Sequence, residues 1–117
     1  MAAGKGKNAC EARLKFSLLS EAESDILAAH DWYEARRSGL GAAFELCLEA
    51  AFERIAEFPE AQPIWYRNAR RVILAHFPYG VFYVCKEDTI FVVAVFHFKR
   101  NPVSLKRFVK RRSHRFS

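Results

Sequence analysis

The chain has 117 residues, 51% of them hydrophobic and 15% aromatic, and a formal net charge of +6. That length can bury roughly two-thirds of its unfolded surface as one domain, without metals or disulfides. No apolar run reaches the ~18 residues that span a bilayer. No apolar segment follows the basic N-terminus as a secretory signal would require, so a cytoplasmic protein without a membrane partner is expected.

The charge is segregated along the chain. Residues 1–20 carry four basic and one acidic residue, for +3; residues 21–60 carry three and ten, for −7; residues 61–117 carry twelve and two, for +10. Such segregation fits a basic working surface beside an acidic one. Cys10, Cys47 and Cys85 are too scattered for a disulfide framework, and no Cys/His spacing matches zinc. Neither a metal nor another cofactor is expected.

In chain order, residues 1–13 lack periodicity and read as a disordered lead, residues 14–108 as the domain, and residues 109–117 as a basic tail. Leu14 to Leu19 suits a short strand. Ser20-Glu21-Ala22-Glu23 has the spacing of a capping box. It opens a helix to about Arg37, with Ala22, Ile26, Ala29, His30 and Tyr33 on one face. Ser38-Gly39-Leu40-Gly41 breaks that helix. A second helix runs from about Leu40 to Glu57 on a stripe of Leu40, Phe44, Cys47, Leu48, Ala51, Ile55 and Phe58, and Pro59 ends it. On its far side Glu45, Glu49, Glu53 and Glu57 repeat every four residues, so the column needs water or cations beside it.

Strand patterns follow. After a loop with Pro63 and then Ile64-Trp65-Tyr66, a strand from Arg70 to Ala75 precedes two longer runs, Tyr79 to Lys86 and Thr89 to Phe98. Ile90 to Phe96 is apolar without alternation, as in a strand covered on both faces or central in a sheet. It leads into His97, Lys99 and Arg100, and Pro102 stops it. Val103 to Val109 suits a short helix that frays beyond. The expected class is α+β: two antiparallel N-terminal helices packed on a small antiparallel sheet, then a short basic C-terminal helix or tail.

No Gly-rich phosphate loop, HExxH, GxSxG or paired-carboxylate arrangement occurs. What remains is cationic and aromatic: Arg67, Arg70, Arg71, His97, Lys99 and Arg100, with Tyr66, Tyr79 and Tyr83. Three uses stay open. The cations can stabilise charge developing in RNA cleavage, with His97 as acid or base. They can dock nucleic acid or an acidic protein surface. Or they solubilise the surface, paired to carboxylates.

The order Ala22-x-x-Asp25-Ile26, Trp32-Tyr33, Gly39-Leu40-Gly41-x-x-Phe44, Ile55-x-x-x-Pro59, Arg70-Arg71, Phe77-Pro78-Tyr79-x-x-x-Tyr83 and Val95-x-His97-x-x-Arg100-x-Pro102 resembles the RelE/ParE superfamily of toxins from type II toxin–antitoxin systems. The similarity covers about residues 14–108. It implies a bacterial, cytoplasmic toxin of a plasmid-stabilisation type, neutralised by a cognate antitoxin in a hetero-oligomer. RelE-like members are ribosome-dependent mRNA endonucleases, whereas ParE-like members act on DNA gyrase.

The ribonuclease branch carries an arginine after the tyrosine that opens the penultimate strand, where this chain has Gly80. That branch also places a tyrosine near the C-terminus; Val103 to Phe108 contains none. The ParE-like ending has a tryptophan three residues after the proline, where this chain has Leu105. The resemblance thus implies a ParE-like toxin that inhibits gyrase by binding. Its alternatives are a RelE-like endonuclease acting on ribosome-bound mRNA through Arg71, His97 and Arg100, and a non-toxic member that only binds antitoxin. Under the ParE-like reading, Arg70, Arg71, Tyr83, His97, Lys99, Arg100, Lys106 and Arg107 are the candidates for contact with target or antitoxin.

Overall fold

A computed structural model describes residues 15–99 and 101–114; the expected lead and Arg100 fall outside them. Strand β1 (Lys15–Leu18) leads into α1 (Ser20–Arg36) and α2 (Leu40–Glu57). Strands β2 (Ile64–Tyr66), β3 (Ala69–Ile73), β4 (Tyr79–Lys86) and β5 (Thr89–His97) follow, and α3 (Pro102–Ser113) closes the described chain. The class is α+β, as the grouping of helical and strand patterns predicts.

The five strands form one sheet in the order β1-β5-β4-β3-β2. Four are antiparallel, but β1 runs parallel to β5, Lys15 opposite Thr89 and Leu18 opposite Val92. The sheet is therefore mixed rather than wholly antiparallel. Both helices and three strands separate β1 from β5, and a connection that long permits the parallel pairing that a tight hairpin forbids. The β4–β5 pair lies inside the sheet, with Val81 to Val84 and Val92 to Phe96 all buried.

That pair carries an irregularity the apolar pattern conceals. Tyr83 faces Val92 while Phe82 faces Ala94, so Val93 is an extra residue on β5, a bulge. Before it, the carbonyls of Asp88 and Val92 accept from Lys15 and Leu19. Beyond it, β1 has ended, and the backbone of Val93 and Val95 turns to that side. Asp25 Oδ2 accepts the Val95 N–H at 3.1 Å, and Arg112 Nη1 donates to the Val93 carbonyl at 3.0 Å. Two side chains thus stand in for the strand that is missing.

Alternation along β4 separates the two faces of the sheet. Tyr79 packs on Phe44 and Tyr33, with ring centroids 5.3 and 6.0 Å apart, so this face meets α1 and α2. Phe82 packs on Trp65 at 4.9 Å, and Phe96 packs on Phe108 at 5.7 Å, so the other face meets α3. From α2, Phe44, Ala51 and Ile55 are wholly buried and Leu48 nearly so. Each large apolar side chain so buried contributes roughly 2 kcal/mol. Phe58, placed on the same stripe by its spacing, is 50% exposed because it caps the helix instead of continuing it.

The helix ends differ from the simplest sequence reading. The capping box does not form: Leu19 occupies the cap, and the Glu23 N–H goes to the Leu19 carbonyl at 3.0 Å. Between the helices Gly39 takes a left-handed φ of 89°, which glycine adopts without a Cβ penalty. The α2 N-terminus is capped from the preceding helix. Glu34 Oε1 accepts the Gly41 N–H at 2.9 Å, and both its oxygens accept from Gly39. A Cβ on Gly41 would lie 2.6 Å from the His30 ring, so any side chain there would have to displace that ring.

The C-terminal helix is longer than the predicted Val103–Val109. Asn101 caps it by accepting the Val103 N–H at 2.8 Å, and Pro102 fits the first turn, where no N–H is needed. Leu105, Val109 and Ser113, four residues apart, are buried against the sheet. The boundary drawn at 108 therefore does not end the packed structure, and the fraying expected past Val109 is absent through Ser113.

Candidate interaction surfaces

The sheet distributes the sequence-predicted residues over separate places. Arg70 lies opposite Tyr83, and His97 lies opposite Tyr79, four residues away along β4. Arg70 is committed internally: its Nη1 donates to the carbonyls of Glu60 and Gln62 at 3.0 and 2.6 Å, bracing the loop after α2. Arg71 lies opposite Phe82 on the α3 face, its guanidinium 5.8 Å from the Trp65 ring centroid. Gly80 makes room for its stem, since a Cβ there would meet Arg71 Cγ and Cδ at 3.2 Å.

Tyr83 is a correction. It is 0% exposed, and its hydroxyl donates to the Pro59 carbonyl at 2.6 Å, so it cannot touch a partner of the folded chain. Burial pushes its hydroxyl well above the usual tyrosine range, against a weaker opposing effect of Arg70. Its work is to tie the end of α2 to β4.

His97 ends β5 on the α1 face, edge-on to Tyr79 at 5.3 Å. Its Nδ1 accepts the Lys99 N–H at 3.1 Å, which leaves Nε2 to carry the proton of the neutral ring. Lys99 is exposed in the turn that follows. Arg71 and His97 thus lie on opposite faces of the sheet. A single scissile phosphate cannot be held by Arg71 and receive a proton from His97; Arg100, the third residue of the endonuclease alternative, lies outside the described residues.

Beside His97, α1 and the end of β5, unpaired on its β1 side, border a groove of about 610 Å³. Trp32, Tyr33, Arg36, Pro78, Tyr79 and His97 contribute to its walls. Trp32 is 53% exposed, with the Arg36 guanidinium 4.3 Å above its ring. Trp32 stands in a motif of the sequence, but nothing in its spacing shows that it faces outward. Asp25, which also borders the groove, is not among the residues that the spacing places on the packed face of its helix. In fact its carboxylate is 14% exposed and paired with Arg112 at 2.7 Å.

Lys106 and Arg107 form a second surface, on α3, and both are exposed. Lys106 Nζ lies 5.4 Å from the ring of Tyr66, which Arg67 approaches at the same distance. Lys110 and Arg111 continue this face, and the assignment of residues 109–117 to a tail passes them over.

Among the described residues no group of three or more His, Cys, Asp or Glu side chains is placed to hold a metal ion. None of the described helices is long and apolar enough to cross a membrane.

The family model described as the ParE toxin of the type II toxin–antitoxin system, parDE, matches residues 16–102. Among solved structures, the chain is similar to one titled "Chromosomal ParDE TA system from P. aeruginosa", at 12% identity and a TM-score of 0.65. That likeness covers 73% of this chain and 96% of the other, and at such low identity it speaks for the fold. No curated protein matches the chain.

Proposed function

This chain belongs to the ParE toxin family of type II toxin–antitoxin systems, and from that premise we propose that it inhibits DNA gyrase by binding, without bond-breaking chemistry of its own. The family implies an antitoxin partner. The observation that carries a binding mode of action is the separation of Arg71 from His97 by the thickness of the sheet. Endonuclease chemistry needs an acid or base and a charge stabiliser converging on one phosphate, and these two do not converge.

The antitoxin seats in the groove between α1 and the end of β5. A partly apolar trough ending in Trp32 and His97 suits an amphipathic peptide segment, which buries apolar anchors and leaves its polar face in water. The toxin acts in the cytoplasm, where gyrase and DNA are found, and a cognate antitoxin releases gyrase by occupying the toxin.

The test is a supercoiling assay with purified gyrase, relaxed plasmid and the purified chain. Inhibition at near-stoichiometric toxin, reversed by the antitoxin encoded beside it, supports the reading. Unchanged supercoiling at large excess, together with cleavage of mRNA on translating ribosomes, would establish the endonuclease alternative.

A further inference from the structure

Lys106, Arg107, Lys110 and Arg111 are all exposed on α3. Their spacing stacks Lys106 over Lys110 and Arg107 over Arg111, one turn and ~6 Å apart. None of the four forms an ion pair with a carboxylate among the described residues. The sequence contains no Asp or Glu after Asp88. Arg112, by contrast, turns inward and is neutralised by Asp25. The helix thus separates one structural arginine from four cations that no described carboxylate pairs with.

The cationic face continues onto the β2–β3 turn. Tyr66, Lys106, Arg107 and Lys110 border a shallow hollow of about 320 Å³, and Arg67 and Lys110 border another of about 230 Å³. The Tyr66 hydroxyl is held below the usual tyrosine range. A hydrogen bond from Arg67 is the largest cause, and the charges of Arg67, Lys110 and Lys106 add to it against some desolvation. Like charges crowded in this way destabilise a helix unless something anionic lies over them.

We infer that this face binds the phosphate backbone of duplex DNA without reading its sequence. The chemistry calls for a regular polyanion, because paired rows of cations one helical turn apart match repeated phosphates better than a single anion. The aromatic rings decide against a single strand, which is bound largely by stacking of its bases. Tyr66 is already approached by Arg67 and Lys106, and Phe108 by Arg111 and Arg112 at 5.7 and 5.9 Å. Both rings are thus already approached by cations, and neither is fully exposed as a platform. Leu105 and Val109 fix the other side of α3 to the sheet, so the helix lies along the backbone and its charges meet phosphates, the contacts that position without specifying sequence.

The experiment uses fluorescence anisotropy of a short labelled duplex of mixed sequence, with the full chain and no gyrase present. Failure here therefore leaves the proposed gyrase inhibition untouched. Binding is expected to weaken with salt, with a slope of about −3 to −5 in log K against log salt, as four or five neutralised phosphates require. Lys106→Ala, Arg107→Ala, Lys110→Ala and Arg111→Ala should each reduce that slope by about one and the affinity several-fold. Lys86→Ala, a lost charge of the same sign on β4, should change neither. Equal thermal melts keep folding out of the comparison. Absence of duplex binding at low salt overturns the inference, as does tighter binding of single-stranded DNA or of RNA. So does self-association of the chain abolished by the same four changes, which would make the Glu45, Glu49, Glu53 and Glu57 column of a second copy the occupant.

Discussion

Arg112 in the last turn of α3 donates to Asp25 in α1 at 2.7 Å, joining two helices that pack on opposite faces of the sheet. The contact passes the edge of β5 just where β1 has stopped, and each partner also holds a backbone group of β5. At 14–15% exposure both charges are mostly withdrawn from water. The pair therefore completes the sheet more than it decorates the surface.

Removing both partners should cost less than the sum of removing each alone. Asp25→Ala leaves the Arg112 charge and the Val95 N–H without their acceptor and should destabilise the chain by about 3 kcal/mol. The double replacement Asp25→Ala with Arg112→Ala should recover about 1–2 kcal/mol of the sum of the single effects. Urea unfolding of the four proteins measures this cycle. Additive effects would mean that the pair is not coupled.

Tyr83→Phe separates a structural role from a binding one. Losing the hydroxyl bond to Pro59 should cost about 1 kcal/mol of stability. Affinity for antitoxin and potency against gyrase should not change, because the ring is wholly buried. A loss of affinity without a loss of stability would return Tyr83 to the binding surface.

The helical hairpin has its own pH window. Hydrogen bonds from the Gly39 and Gly41 N–H groups hold the Glu34 carboxyl below its ordinary value of 4.5. Its contribution is thus complete above that value and is lost as pH falls through the lowered folded pKa. The hydrogen bond to Asp31 raises His30 above 6.5, with help from the Glu45 charge and against some desolvation. That contribution is complete below 6.5 and fades as pH rises through the raised folded pKa. Both helices should therefore be held together best between the two ordinary values. Melting temperatures measured against pH should show the advantage of the native chain over Glu34→Gln shrinking at acid pH. An advantage of the same size at every pH would contradict the capping role.

Val95→Asp should unfold the domain. The side chain is 1% exposed in the strand next to the bulge, and an unpaired carboxylate there costs several kcal/mol, comparable to the whole stability of a domain this size. A cooperative melt near that of the native chain would show that the strand tolerates water and is not central.

Much of this architecture could be read from periodicity. Both long helices lie within a residue of the bounds their apolar stripes predict, and β4 and β5 follow the two strand-forming runs closely. Three features could not be read that way. The Val93 bulge lies in a run that is apolar on every residue, where an inserted position disturbs no alternation. Asp25 and Arg112 each belong to an ordinary charged stretch, and only the third dimension brings residues so distant in sequence together. Tyr83 falls among arginines in the motif order, yet the pleat turns it inward. The extent of α3 was recoverable, because Leu105, Val109 and Ser113 recur every four residues beneath a dense run of basic charge. The two faces of the sheet matter most for function. They turn what reads as one cationic cluster into Arg71 on one side and His97 on the other.

Supercoiling inhibition by the His97→Ala protein tests the central claim most directly. A toxin that acts by binding gyrase, without chemistry at this histidine, should inhibit at near-stoichiometric amounts with a potency within a few-fold of the native chain. If the native chain leaves gyrase untouched, and instead cuts ribosome-bound mRNA in a reaction that His97→Ala abolishes, the binding account is wrong.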